Sequence, residues 1–150
     1  HPASISTTPM NSHEIALVKN SFAKVAPIAD QAAALFYARL FELDPALRAL
    51  FRGDMQEQGR KLMSVLGLAV GSLEKLDQLL PAVRQLGVRH VGYGVDDGHY
   101  ATVGAALLWT LEKGLGSAFT PEVRAAWTTT YTTLASTMLD AAHAHQTQAA

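Results

Sequence analysis

The sequence predicts an all-α domain of about six to eight helices of unequal length. Apolar residues recur at steps of three and four along most of the chain, which is the period of an amphipathic helix. No segment alternates polar and apolar residues between turn signals, so the sequence predicts no strand. A hydrophobic fraction of 49% over 150 residues is sufficient for one packed core.

The first two predicted helices have clear start and stop signals. Asn11 and Glu14 have the spacing of a capping box, and the helix that they begin runs to Pro27. Residues 28–43 carry apolar side chains on more than one stripe, so this second helix is predicted to be largely enclosed. Residues 44–45, Asp-Pro, end it and lead into a short apolar turn.

The second half of the chain continues the helical pattern. One apolar face extends over residues 62–76, and Pro81 is predicted to open the next helix. Glycines follow near residue 92, after which residues 100–115 form another stripe. Thr120-Pro121 is a strong start signal for the last helix.

We expect one domain, residues 11–141, between two less ordered ends. Residues 1–10 are small, polar and bracketed by prolines, and are predicted to be a disordered N-terminal remnant. Residues 142–150 are rich in Ala, His and Gln and are predicted to fray.

Composition and missing motifs argue against several function classes. Twelve basic against thirteen acidic residues give a formal net charge of −1, which offers no electrostatic footprint for nucleic acid or an anionic membrane. Without cysteine there is no thiolate ligand and no thiol nucleophile. The phosphate-binding, zinc-protease and hydrolase motifs are missing. No run of 18 apolar residues exists, and we expect a soluble, cytoplasmic protein.

The histidines are the main candidates for chemistry. Four of them are expected to be solvated: His1, His13, His143 and His145. His99 begins a helix, where a capping or packing role is expected. His90 lies seven residues after Val83 and four after Leu86, which places it on an inward stripe. Such a residue is usually a core histidine satisfied by one hydrogen bond, but an inward imidazole at a helix end also suits axial ligation of a haem iron.

Three further side chains are candidates for an internal site. Tyr37 lies in the most enclosed helix, where a buried hydroxyl needs a partner. Gln58 lies one turn before Leu62 on an inward face, and Phe51 closes the short apolar turn. Each also has an ordinary interpretation. Tyr37 can be a core aromatic, Gln58 a surface residue at a helix start, and Phe51 an apolar side chain that fills the corner.

The order of these features resembles the globin family along residues 11–138. It is most similar to bacterial single-domain globins and to the haem domain of flavohaemoglobins. The segments that carry the resemblance are Leu-Phe-Tyr-Ala-Arg-Leu-Phe at 35–41, Asp44-Pro45, Leu50-Phe51, Leu-Leu-Pro-Ala-Val at 79–83, Arg89-His90 and His99-Tyr100.

The resemblance implies a globin fold that encloses haem b, with His90 as the proximal iron ligand. It implies that Tyr37 and Gln58 are the distal pair that hydrogen-bonds oxygen. The other residues that it places around the haem are Phe51, Leu62, Lys61, Arg89, Val95 and Tyr100. The flavohaemoglobin group adds a glutamate from the last helix to the proximal network, whereas the acidic residue nearest to that position here is Asp140.

The resemblance also implies the function. We expect tight binding of dioxygen, with NO and CO as further ligands, and nitric oxide dioxygenation or a weak peroxidase activity. Because this sequence contains no nucleotide-binding motif, either activity needs an external reductase. The alternatives are a haem-based gas sensor and a haem-free globin-fold sensor or scaffold in which His90 is structural.

Overall fold

The computed structural model describes residues 10–92 and 94–149, with side chains described up to residue 145. Over these residues the chain forms α-helices and short 3₁₀ turns and no strand, so the all-α prediction is confirmed. Residues 1–9 of the remnant predicted at residues 1–10 lie outside the described residues. The α-helices are α1 (Ser12–Val25), α2 (Ala29–Leu43), α3 (Met55–Gly71), α4 (Leu76–Gly92), α5 (Asp97–Leu115) and α6 (Pro121–Ala149).

Side-chain caps begin several of these helices, as the sequence predicts. The Asn11 side chain accepts from the Glu14 amide at 2.8 Å, and Glu14 accepts from the Asn11 amide in return. Asp96 caps α5 by accepting from the Gly98 amide at 3.0 Å. The capping role predicted for His99 is confirmed, because its Nδ1 accepts from the Asp96 amide at 3.0 Å. These bonds satisfy backbone donors that the first helical turn leaves without partners.

The boundary between α3 and α4 differs from the prediction. The apolar face expected over residues 62–76 is interrupted, because α3 ends at Gly71 and the 3₁₀ turn Leu73–Lys75 follows. Pro81 does not open α4 but lies inside it, since α4 begins at Leu76. Pro81 has no backbone N–H, so α4 lacks the helical hydrogen bond to the carbonyl of residue 77.

The ends of the described chain contact the rest of the domain. Met10 is half-buried, and its sulfur accepts from the Thr130 hydroxyl at 3.3 Å. Helix α6 continues to Ala149, past the domain boundary predicted at residue 141, and Ala142 is buried. His143 is exposed as expected, but it also pairs with Asp97 across 2.8 Å.

Helices α1, α2, α5 and α6 supply most of the core. Trp127 on α6 is its largest fully buried side chain, and the indole N–H donates to the hydroxyl of Ser21 at 2.8 Å. That bond satisfies a polar group which would otherwise be buried alone. Leu40 of α2 and Val18 of α1 are also fully buried.

Two close helix crossings determine how the remaining helices lie on this core. At the first, a Cβ added to Gly59 of α3 would lie 2.8 Å from the Cβ of Ala33 on α2. At the second, a Cβ added to Gly87 of α4 would lie 2.4 Å from the backbone oxygen of Met138 on α6. Glycine therefore lets the backbone of α3 approach the Ala33 methyl group at the first crossing, and the backbone of α4 approach the backbone of α6 at the second.

No helix among the described residues is long and apolar enough to cross a membrane.

Candidate functional site

The α2–α3 crossing brings Tyr37 and Gln58 together. Tyr37 lies one turn after Ala33, and Gln58 directly precedes Gly59. The Tyr37 hydroxyl donates to the backbone carbonyl of Gln58 at 3.4 Å, a long hydrogen bond between half-buried residues. The sequence predicted a buried tyrosine whose hydroxyl finds a partner, and the structure supplies that partner from the backbone of α3.

Burial keeps the Tyr37 hydroxyl protonated. Desolvation raises the pKa of Tyr37 from 10.0 to about 12, because the charged phenolate is disfavoured away from water. At neutral pH the side chain is therefore a hydrogen-bond donor. Its ring makes an edge contact with the ring of Phe51, with centroids 5.3 Å apart, and stacks on Phe41 at 6.0 Å.

Phe51 lies at the corner between α2 and α3. It follows the 3₁₀ turn Pro45–Leu50, and its ring packs against Phe41 with centroids 5.5 Å apart. The Arg48 guanidinium donates to the Phe51 carbonyl at 2.9 Å and lies over the ring of Phe41. The corner is thus fixed by its backbone and by its rings, and Phe51 lies beside Tyr37 as an apolar wall.

His90 lies in the last turn of α4 and is half-buried. Its Nδ1 is 2.7 Å from the carbonyl oxygen of Leu86. A carbonyl only accepts, so Nδ1 carries the proton and Nε2 is the nitrogen with the lone pair. Burial lowers the pKa of His90, outweighing the hydrogen bond to Leu86, which raises it. The structure therefore favours neutral imidazole with a defined tautomer, which is the metal-ligating form.

Tyr100 is an aromatic neighbour of His90. The two ring centroids are 6.5 Å apart, and the rings are tilted by 31°. Burial, with a smaller effect of the Asp97 charge, raises the pKa of Tyr100. Its hydroxyl oxygen is buried and has no hydrogen-bond partner among the described residues. By contrast, the Tyr131 hydroxyl from α6 donates to the backbone carbonyl of Tyr100.

The inward stripe of α3 leaves apolar surface uncovered. Leu62 is half-buried one turn after Gln58, as predicted. Val65 continues the same stripe but is 47% exposed, and Leu68 is 60% exposed. Exposed side chains of this size on the face that carries Gln58 and Leu62 indicate a surface which another apolar group can cover.

The remaining predicted residues lie at different depths. Val95 is half-buried and adjoins His90, because its amide donates to the His90 carbonyl at 3.0 Å. Lys61 and Arg89 are exposed, so both are accessible to the polar edge of a ligand. Asp140 is also exposed, and no bond from it to His90 is described.

The predicted residues thus form two groups. Tyr37, Phe51 and Gln58 meet at the α2–α3 crossing, whereas His90, Val95 and Tyr100 meet where α4 leads into α5. Among the described helices, α5 packs against α2 and α6 packs against α4, so the two groups are connected through the core. No cluster of three metal-ligating side chains occurs in the described part of the chain, so a metal at His90 would need a cofactor to complete its coordination.

An apolar cavity of about 20 Å³ lies in the core, and no member of either group is among its walls, although Leu62 is. It is bounded by α1, α2, α3, α5 and α6, with Trp127 and Phe36 among its walls. It is far too small for a large ligand, so it is not the candidate site.

Two positions that matter for the site were not singled out from the sequence. Gly59 and Gly87 stand at the two close crossings that carry Gln58 and His90. Their only signal in a single sequence is a glycine inside a helical pattern, which more often marks a weak point in the helix.

Comparison with known proteins identifies the family of this chain. The globin family model matches residues 34–138. The chain is 37% identical to neuroglobin of Danio rerio over 118 residues, covering 69% of this chain and 74% of that protein. It is 32% identical to a flavohemoprotein of Xylella fastidiosa strain 9a5c over 131 residues, covering 85% of this chain but 33% of that protein, so it spans about a third of the length of that relative.

A solved structure shows the same fold. It is described as a hexacoordinated heme protein from an anhydrobiotic tardigrade, and it superimposes with a TM-score of 0.82 over 90% of this chain and 96% of the other at 15% identity. The family match covers most of the chain, and the relative from Danio rerio exceeds 30% identity over most of its own length. The chain belongs to the globin family.

Proposed function

We propose that this globin binds one haem b through His90 and retains dioxygen with the help of Tyr37 and Gln58. The observation that carries the proposal is the state of His90: a half-buried, neutral imidazole whose Nδ1–H is held by the Leu86 carbonyl. This arrangement leaves Nε2 as the basic nitrogen and fixes the ring orientation, which is what an axial ligand requires.

The residues around His90 and Gln58 fit a flat, largely apolar group with a polar edge. Helix α3 exposes Val65 on the same stripe as Gln58 and Leu62. Beside His90, the hydroxyl of Tyr100 is buried and has no hydrogen-bond partner among the described residues. Two of the similar proteins, the flavohemoprotein and the tardigrade heme protein, are haem proteins by name, which supports the same cofactor here.

Haem supplies the iron that binds a diatomic gas, and the side chains of this chain supply the surroundings. The protonated Tyr37 hydroxyl is a donor for a polar diatomic ligand, and the Gln58 side-chain amide is a second one. Each hydrogen bond to a partly charged ligand is worth about 1.5–3 kcal/mol, or about 10- to 100-fold in ligand retention. The rings of Phe41 and Phe51 pack against the ring of Tyr37, and apolar surroundings strengthen hydrogen bonds.

We further propose that the bound oxygen is consumed by nitric oxide, with the balance NO + O₂ + e⁻ → NO₃⁻. The electron needs an external reductase, because the sequence has no nucleotide-binding motif. Oxygenated protein mixed with NO should yield about one nitrate per haem and then stop until a reductase is added. Sustained turnover without a reductase would contradict this part of the proposal.

The experiment that tests the proposal is reconstitution of the protein with haem and measurement of its visible spectrum. A haem-free scaffold would give no stoichiometric complex. The reductase partner and the cytoplasmic location predicted from the sequence stay predictions.

A further inference from the structure

Helix α4 packs on α6 through a contact between the backbones of the two helices, with no side chain between them. Gly87 is buried three residues before His90. A Cβ at Gly87 would lie 2.4, 2.7 and 2.8 Å from the O, Cα and C atoms of Met138. Real Cβ contacts under 3.0 Å essentially do not occur, and all three atoms belong to the backbone of α6. No rotation of a side chain can therefore relieve the contact.

This contact determines where the end of α4 lies. Helix α4 packs more extensively on α6 than on any other element among the described residues. An added methyl group at Gly87 needs about 1 Å more room to reach the ordinary contact distance of 3.4 Å. Because a helix moves as a stiff unit, a displacement at Gly87 is transmitted to His90 less than one turn away.

We infer that Gly87 is the positioning residue for His90: it holds the His90 helix directly on the backbone of α6 and so sets the place of the imidazole relative to the iron. The inference rests on the proposed function, since it concerns the distance and tilt of a nitrogen that ligates haem. The end of α4 cannot shift to accommodate an added methyl group without moving His90, because protein interiors are close-packed and transmit strain.

Three other glycines provide matched controls. Gly92 is in the same helix, two residues after His90, and a Cβ there meets nothing within 4 Å. Gly71 and Gly53 are equally open. Gly92→Ala therefore makes the same chemical change in α4 without the clash, and Met138→Ala tests whether the contact depends on the Met138 side chain rather than on the backbone.

The test is the iron–imidazole stretching band of the reduced, ligand-free protein, measured by resonance Raman spectroscopy on haem-loaded samples. Gly87→Ala should shift or broaden this band and accelerate haem loss roughly 10- to 100-fold, as expected for overpacking at a rigid contact. Gly92→Ala and Met138→Ala should keep the wild-type band. A wild-type band in Gly87→Ala would overturn the inference and leave the proposed function intact.

A second comparison separates positioning from general damage to the pocket. In a His90→Gly background, free imidazole binds haem without a covalent link to α4. Adding Gly87→Ala to that background should then leave the iron–imidazole band unchanged. A shift that persists there would overturn the inference, whereas failure of free imidazole to restore any band would count against His90 as the ligand and so against the proposed function.

If Gly87→Ala does not fold, hydrogen exchange of the haem-loaded wild type still decides. The amides around Gly87 and those around Met138 should be protected together. The inference would be overturned if the amides of α4 exchanged as fast as those of an unfolded chain while the amides of α6 stayed protected, because the contact would then not hold α4.

Discussion

The hydroxyl of Tyr37 donates across 3.4 Å to the backbone carbonyl of Gln58, so the Tyr37 side chain of α2 is tied to the backbone of α3. The contact exists because α2 and α3 cross at Ala33 and Gly59, adjacent to these residues. The bond is long, so a stronger acceptor can displace it at low cost. A ligand between His90 and this pair would be such an acceptor.

Replacing Tyr37 by phenylalanine should accelerate dissociation of oxygen about tenfold or more, because it removes one donor and keeps the ring. Gln58→Leu should give a smaller acceleration. Gln56→Leu is the matched control, since Gln56 is exposed in the first turn of the same helix. Stopped-flow measurement of oxygen dissociation checks this, and equal rates in all four proteins would show that neither side chain holds the ligand.

The raised pKa of Tyr37 predicts that the free energy of unfolding of the haem-free protein falls as the pH rises above 10. The unfolded chain releases the phenolic proton near pH 10, whereas the folded chain holds it up to about pH 12. Stability contributed by this group is therefore complete below pH 10 and is lost as the pH rises towards 12. Urea unfolding should show that wild type loses about 1–2 kcal/mol more than Tyr37→Phe between pH 9 and pH 11.5. Parallel losses in both proteins would show that Tyr37 titrates normally.

Gly59→Ala should destabilise the haem-free protein by about 1–3 kcal/mol, because its methyl group would lie 2.8 Å from the Cβ of Ala33. The control is Gly71→Ala in the same helix, where the added methyl group meets nothing within 4 Å and the helix gains propensity. Urea unfolding at one pH compares the two variants. Similar stability changes would mean that the α2–α3 crossing is not close in solution.

Much of this fold could be predicted from the sequence because its signals are local. Capping at Asn11 and the place of His90 on an inward stripe follow from spacing within one helix. The start of α4 could not be predicted. The 3₁₀ turn before Leu76 keeps the apolar spacing of a helix, and Pro81 is a residue type that often begins one. The close approach at Gly87 could not be predicted either, because it depends on a residue of α6 that is distant in sequence.

Tyr100 and Tyr131 should respond differently to loss of their hydroxyl groups. Tyr131→Phe removes a bond to the Tyr100 carbonyl and should cost the haem-free protein about 1 kcal/mol. Tyr100→Phe should be neutral or stabilising there, because the buried Tyr100 hydroxyl has no partner among the described residues. Urea unfolding of both variants tests the pair. Equal destabilisation would show that the Tyr100 hydroxyl has a partner in solution.

In the proposed function, His90 ligates a haem whose other face is left open by Gln58, a weak iron ligand compared with histidine. The direct measurement is the visible spectrum of reduced, oxygen-free protein loaded with haem, for wild type and for His90→Gly with and without imidazole. We predict one haem per chain with a five-coordinate, high-spin spectrum in wild type, and loss of that spectrum in His90→Gly with recovery on adding imidazole. An unchanged spectrum in His90→Gly, or a low-spin wild-type spectrum at neutral pH, would contradict this account.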